Sequence, residues 1–262
     1  MPFSRKKPEI QGGLSGTALK YIAMTTMLAD HIGAVLLERI VYYRGNLEQV
    51  AMLMTSQWGD TLYWLWRMLR TVGRIAFPIY CFLLVEGFLH TRDWRRYWLR
   101  MAAFALISEI PFRLAVWNTW AGGSSNVYVE LAIGLLVLRG LKQSEGLTQP
   151  RRAAGMAAVI GGGCLAAVFL KVDYDMDGIL IISLFYLLRE KRIVQVMSGG
   201  ILSLLESWNM CYGAGILSAV PLYFYNGKKG QAPWKYAFYW FYPLHLMVLF
   251  FIRLYVVGIP LG

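Results

Sequence analysis

Nine apolar stretches, parted by short loops of alternating charge, restrict this chain to one broad architecture. Runs long enough to cross a bilayer, allowing for tilt and short spans, lie at 16–40, 72–90, 97–117, 126–141, 153–170, 177–189, 193–207, 209–225 and 234–257. Arg5, Lys6 and Lys7 precede the first run, and Arg92, Arg95 and Arg96 follow the second. Arg139, Lys142, Arg151 and Arg152 follow the fourth, Arg189, Lys191 and Arg192 the sixth, and Lys228, Lys229 and Lys235 precede the last. Loop 118–125 and the region around 208 carry no basic residue, and 171–177 sets three Asp against one Lys. Basic residues collect in the cytoplasmic loops of membrane proteins. The alternation predicts an all-α integral membrane protein, a polytopic bundle of about nine transmembrane helices, N-inside and C-outside, in a cytoplasmic (inner) membrane.

Composition agrees: 57% of residues are hydrophobic and 16% charged, against roughly 45–50% and about 25% in soluble domains. A net charge of +11 raises nucleic acid as a partner. The charge, however, sits in loops between apolar runs and forms no basic stripe with interleaved aromatics, so the lipid bilayer is the expected partner and nucleic acid is not. Cys81, Cys164 and Cys211 are isolated in apolar stretches, without zinc or disulfide spacing, so no metal site is expected. No repeat, soluble domain or cleavable signal peptide is evident. The chain reads as a single domain over 1–262, with 1–15 as a cytoplasmic tail.

Residues 41–72 depart from the charge pattern, since they fall outside yet contain Arg44, Arg67 and Arg70 along with Trp58, Tyr63, Trp64 and Trp66. This outer amphipathic segment is either a helix at the membrane surface or a lid over a site that opens outward.

Ionisable groups inside apolar runs are costly and must face protein or a wet cavity, so each marks a candidate site. The sharpest case is Met27-Leu28-Ala29-Asp30-His31-Ile32-Gly33. A histidine near its own pKa moves protons in either direction, and a neighbouring carboxylate holds its tautomer. Lys20 lies eleven residues before His31, on the same helical stripe and roughly 16 Å away. A cation at the mouth and a base within suit either a tunnel for a phosphorylated, elongated cofactor or a proton path. Arg74, Glu86, Glu109, Asn126, Glu130 and His245 are further polar groups within spans. Glu86 and Glu109 require partners, in structural ion pairs or against substrate. Arg74 either anchors the interface or serves the site, and Pro243 is placed to kink the last span and turn His245 inward. His90, beside Arg92, reads as interfacial. The Asp173-Tyr174-Asp175-Met176-Asp177-Gly178 loop shares its opening with a calcium-binding loop, but Leu184 stands where the twelfth-position Glu would be. It reads as an outer loop with weak cation attraction at most.

Several segments together resemble one family. Leu19-Lys20, Met27–Gly33, Gly73-Arg74-Ile75-Ala76-Phe77-Pro78-Ile79, Glu86-Gly87-Phe88, Ser108-Glu109-Ile110-Pro111-Phe112, Asn126-Val127-Tyr128 and Phe241-Tyr242-Pro243-Leu244-His245-Leu246 resemble the TraX family, in order and over nearly the whole chain. That family comprises polytopic membrane proteins tied to conjugative pilus systems, its founding member being associated with N-terminal acetylation of pilin. It is similar in turn to acyltransferase 3 proteins and heparan-type glucosaminide acetyltransferases. In acyltransferase 3 proteins a first-helix Arg precedes an essential His with ten residues between them. Lys20 and His31 reproduce that spacing with a point charge in place of a planar fork. Arg113 stands where the family often has an acidic residue.

The resemblance implies direct transfer of an acetyl group from cytoplasmic acetyl-CoA, without a metal, to an amine or hydroxyl of a pilin-like peptide or a glycan. Lys20 would meet the phosphates, and His31, oriented by Asp30, would be the base. Arg74 and Asn126 would be donors to the oxyanion. Glu86, Glu109 and His245 complete the binding set. Nothing near Cys81 in sequence lowers its pKa, so no cysteine-linked intermediate is expected. A proton-coupled transporter and a non-catalytic assembly factor are the other readings.

Overall fold

The computed structural model describes residues 12–42, 48–231, 234 and 236–259. Among them all regular structure is helical, with two isolated bridges, Leu14 to Tyr225 and Ser125 to Val172. The helices are α1 (Gly16–Ile32), α2 (Glu38–Val41), α3 (Glu48–Thr55), α4 (Trp58–Gly73), α5 (Ala76–His90), α6 (Trp94–Phe112), α7 (Val127–Ser144), α8 (Arg151–Phe169), α9 (Asp175–Leu187), α10 (Arg192–Cys211), α11 (Ala219–Tyr223) and α12 (Ala237–Ile252). Side chains set several starts: Ser15 accepts from Ala18 N–H at α1, Asp93 from Arg96 at α6, and Asn126 from Tyr128 at α7.

Three of the described helical segments are long and apolar enough to cross a membrane: Trp58–His90, Arg151–Phe169 and Ala237–Val257. α8 turns Leu165 and Phe169, 73% and 85% exposed, away from the protein. Apolar surface of this kind is solvated by lipid and not by water, and the chain is a membrane protein. The core lies around α5, α7 and α9, with Phe82, Val85, Leu135, Leu138, Ile182 and Phe185 at 1% exposure or less. These helices are apolar on every side because protein surrounds them.

Proline explains the interruptions. Pro78 lacks an N–H, and its ring collides with the carbonyl four residues back, that of Arg74. Between α4 and α5 the helix accordingly breaks into two tighter bonds, Arg74 N–H to Thr71 and Ile75 N–H to Val72, both 3.3 Å. Pro243 frees the Tyr239 carbonyl in the same way, and the Tyr128 hydroxyl donates to it at 3.2 Å.

The apolar stretch at 209–225 is not one spanning helix. α10 runs on to Cys211, Tyr212 and Gly213 adopt positive φ, and a 3-10 turn (Ala214–Ser218) with α11 folds back on α10. Gly199, Ser203, Ser207 and Cys211 recur every four residues and are buried, a small-residue ridge that admits close backbone approach. Gly215 sits so tightly on it that an added methyl would lie 2.4 Å from the Ser203 carbonyl oxygen.

The 41–72 segment contains α3 and α4, with 43–47 outside the described residues. α4 runs antiparallel to the end of α1: Gly73 faces Asp30, Gly33 faces Arg70, and Trp66 Nε1–H donates to Glu38. α1, α6 and α12 each continue into a π turn (Gly33–Leu37, Arg113–Trp117 and Arg253–Val257), and the three turns pack together. Arg253, fully buried, donates to the carbonyls of Leu114 and Ala115 at 2.9 and 2.7 Å and to Asn118 Oδ1 at 2.6 Å. Arg39 donates to the Val116 carbonyl. The two guanidinium groups thus satisfy carbonyls that the end of α6 leaves open.

Candidate active site

α1 and α12 cross so that His31 and His245 meet: His31 Nδ1 lies 2.6 Å from His245 Nε2, with the rings stacked 4.9 Å apart. Both are buried, at 9% and 7% exposure. His245 Nδ1 lies 2.6 Å from the Phe241 carbonyl. A carbonyl only accepts, so the proton of neutral His245 is on Nδ1 and its Nε2 is an acceptor. His31 must then donate from Nδ1, which leaves the lone pair on His31 Nε2. The pair therefore leaves His31 Nε2 as the unprotonated, accepting nitrogen.

Asp30 does not orient His31. Its carboxylate is held by two arginines, Arg70 Nη1 at 2.7 Å and Arg74 Nη2 at 3.0 Å. Arg74 also faces Glu206 at 3.8 Å, and Arg70 faces Glu38 at 3.6 Å. Adjacent helical residues point about 100° apart and cannot share a face, so the carboxylate beside the histidine in sequence serves a different partner. Replacing Asp30 with Asn should lower thermal stability in detergent by about 3 kcal/mol, since it leaves two largely buried guanidiniums short of counter-charge. An Asp30→Asn protein with wild-type melting but reduced activity would restore the orienting role.

Beside these groups lies a cavity of about 40 Å³, room for a few waters, lined by Met27, Asp30, His31, Gly73, Ala76, Phe77, Tyr80, Val127, Asp173, Tyr174 and Tyr242. Phe77 and Tyr174 stack face to face, centroids 3.5 Å apart, as one wall. The 171–177 loop is therefore more than an outer connector. Asp173 keeps an accessible face, but protein closes in on its other sides, and this loss of water pushes its carboxyl up to about 6, with Arg74 opposing and Asp30 adding to the rise.

The remaining expected site residues lie elsewhere. Asn126 gives its side-chain donors to the Ala105 carbonyl (2.8 Å) and Glu109 (2.6 Å), so it has none for an oxyanion. Glu109 pairs with Arg113 at 2.8 Å and accepts the Asn126 N–H. These contacts tie α6 to the start of α7, and they explain why Arg113 follows Pro-Phe. Glu86 bonds Tyr225 near Arg192, at the other end of α5 from the cavity. Lys20 lies over the Phe238 ring, 5.0 Å from its centroid, with Lys229 nearby. It is three turns from His31.

The TraX protein family model matches residues 15–253, a span that holds every group named above. The chain belongs to the TraX family. Probable fimbrial assembly protein FimC, serogroup H1, of Dichelobacter nodosus is 29% identical over 236 residues, covering 78% of this chain and 88% of its own length. No solved structure matches. For this TraX protein the geometry adds Arg70, Asp173, Tyr174, Glu206 and Tyr242 to the site. Glu206 carried the same signal as Asp30, a charge inside an apolar run, and Tyr242 stood inside the Phe241–Leu246 motif.

Proposed function

We propose that this TraX protein is an integral-membrane acetyltransferase, moving an acetyl group from cytoplasmic acetyl-CoA to an amine or hydroxyl of a pilin-like peptide or a glycan. The observation that carries this reading is the buried His31–His245 pair, which leaves His31 Nε2 as a proton acceptor beside a cavity. With about nine spans, N-inside and C-outside in the inner membrane, the 171–177 loop and the cavity mouth belong to the outer half, where the acceptor arrives. Lys20 and Lys229 belong to the inner side and suit the phosphates of the donor. α4 supplies Arg70 and Gly73 to the cavity region, so the 41–72 segment acts as a cover over the outer mouth. The fimbrial name of the relative favours a pilin-like acceptor over a glycan.

The same name also supports a non-catalytic assembly factor. Proton-coupled transport is less well supported, because Asp30 is clamped by two arginines and is not free to relay protons. Purified protein in detergent, given acetyl-CoA and a synthetic peptide with a free N-terminus, is expected to release CoA and acetylate the peptide. Folded wild-type protein that neither binds acetyl-CoA nor releases CoA would overturn the enzyme reading and leave the assembly factor.

A further inference from the structure

Acyl transfer places negative charge on the former carbonyl oxygen, and Asn126 has no donor to give it. We propose that the Tyr242 hydroxyl, at the cavity wall beside His31, is the oxyanion donor. This assignment rests on the acetyltransferase reading above. Tyr242 is 3% exposed and lines the cavity with His31 and Val127. Its ring meets the imidazoles of His31 and His245 edge-on, with centroids 5.8 Å from each.

The start of α7 lies beside the hydroxyl at the cavity wall. Asn126 caps the helix by accepting from Tyr128 through its side chain and from Val129 through its carbonyl. Val127 is the first helical residue, whose N–H no acceptor within the helix reaches. That N–H faces the Tyr242 hydroxyl oxygen. A hydroxyl has one hydrogen and two lone pairs. No acceptor among the described residues takes the Tyr242 hydrogen, so its O–H is left to donate into the cavity. The positive end of an 18-residue helix points at the same place and favours charge on a bound oxygen.

In the reaction, the acceptor lone pair attacks the thioester carbonyl carbon. The carbonyl π pair moves onto oxygen, and the acceptor proton passes to His31 Nε2. Collapse restores the carbonyl and breaks the carbon–sulfur bond, and the leaving thiolate takes the proton back from His31. Tyr242 keeps its own proton throughout. Its hydrogen bond strengthens as the oxygen gains charge, which lowers the barrier more than it tightens ground-state binding.

Tyr242→Phe keeps the ring contacts and removes the O–H. It is expected to lower kcat about 10²-fold while KM for acetyl-CoA stays near the wild-type value. Fluorinated tyrosines at 242, which preserve the hydroxyl and the fold, should raise kcat as the phenol becomes more acidic. A Tyr242→Phe protein with wild-type kcat, or a flat fluorotyrosine series, overturns the proposal while His31-dependent transfer persists. Wild-type protein that transfers no acetyl group overturns this proposal and the acetyltransferase reading together.

Discussion

His31→Ala is expected to reduce CoA release from acetyl-CoA about 10³-fold without loss of folded protein. General-base catalysis supplies about 10²–10⁴-fold, and among the described residues no other imidazole presents a free nitrogen to this cavity. His245 turns its Nδ1 to the Phe241 carbonyl and its Nε2 to His31. His90, which donates from Nδ1 to the Glu86 carbonyl at 2.8 Å, is at the far end of α5. Substitutions at 245 separate orienting from proton transfer. His245→Phe leaves His31 Nδ1–H without its acceptor and removes a hydrogen bond that becomes charge-assisted when His31 is protonated. Such a bond contributes about 1.5–3 kcal/mol, so a fall in kcat of about 10–100-fold is expected. His245→Gln, whose side-chain oxygen can accept from His31, should recover part of it. Equal and complete loss in both would instead make His245 itself the proton acceptor. CoA release by the purified variants, with thermal melting as the control for folding, distinguishes these outcomes.

Gly178→Ala is expected to cost about 3 kcal/mol or more and to deplete folded protein in detergent. A methyl there would lie 1.6 Å from Glu130 Oε1 and 2.8 Å from Phe77 Cζ. Overpacking in a full core typically costs about 1–3 kcal/mol, and neither neighbour has room to yield. Glu130 is fully buried in α7, where its other oxygen accepts the Tyr174 N–H at 3.3 Å beside the first turn of α9. Phe77 is stacked on Tyr174. A shift at Gly178 is therefore transmitted directly to the cavity wall. Glu130→Ala combined with Gly178→Ala should be less destabilised than the sum of the single variants, because the truncated side chain vacates the space. Strict additivity in melting experiments would show that the collision does not govern the cost.

Much of this was legible in the chain. The apolar runs gave most helix positions to within a few residues, because a membrane helix must be both long and apolar. Asp30, His31, Arg74 and His245 stood out because charge within such a run needs a reason, and the fold brings all four together. Partners were harder to read. Sequence proximity suggested Asp30 as the support of His31, whereas the helical rotation between adjacent residues sends them to different neighbours. The actual support, His245, is 214 residues away, and only the crossing of α1 and α12 makes the contact. Asn126 looked like a donor to substrate, but its amide hydrogens are taken by the Ala105 carbonyl and Glu109 on α6, while its oxygen caps α7. The 209–225 stretch had the composition of a span, and composition does not show where the helix within it breaks. The four-residue recurrence of Gly199, Ser203, Ser207 and Cys211 was the available sign that another segment packs there. Arg253 gave no sign beyond its charge, because its partners are the Leu114 and Ala115 carbonyls of the π turn after α6 and the Asn118 side chain.

The most direct test of the central claim, that His31 is a base whose free nitrogen is Nε2, is nitrogen-15 NMR of histidine-labelled protein in lipid. The chain has three histidines, and His31→Ala and His245→Gln assign the signals. The account predicts a protonated, pyrrole-type Nδ1 and an unprotonated, pyridine-type Nε2 on His31. It also predicts a scalar coupling from His31 Nδ1 across the hydrogen bond to an unprotonated Nε2 on His245. A His31 protonated at Nε2, or no coupling between the two rings, would contradict it.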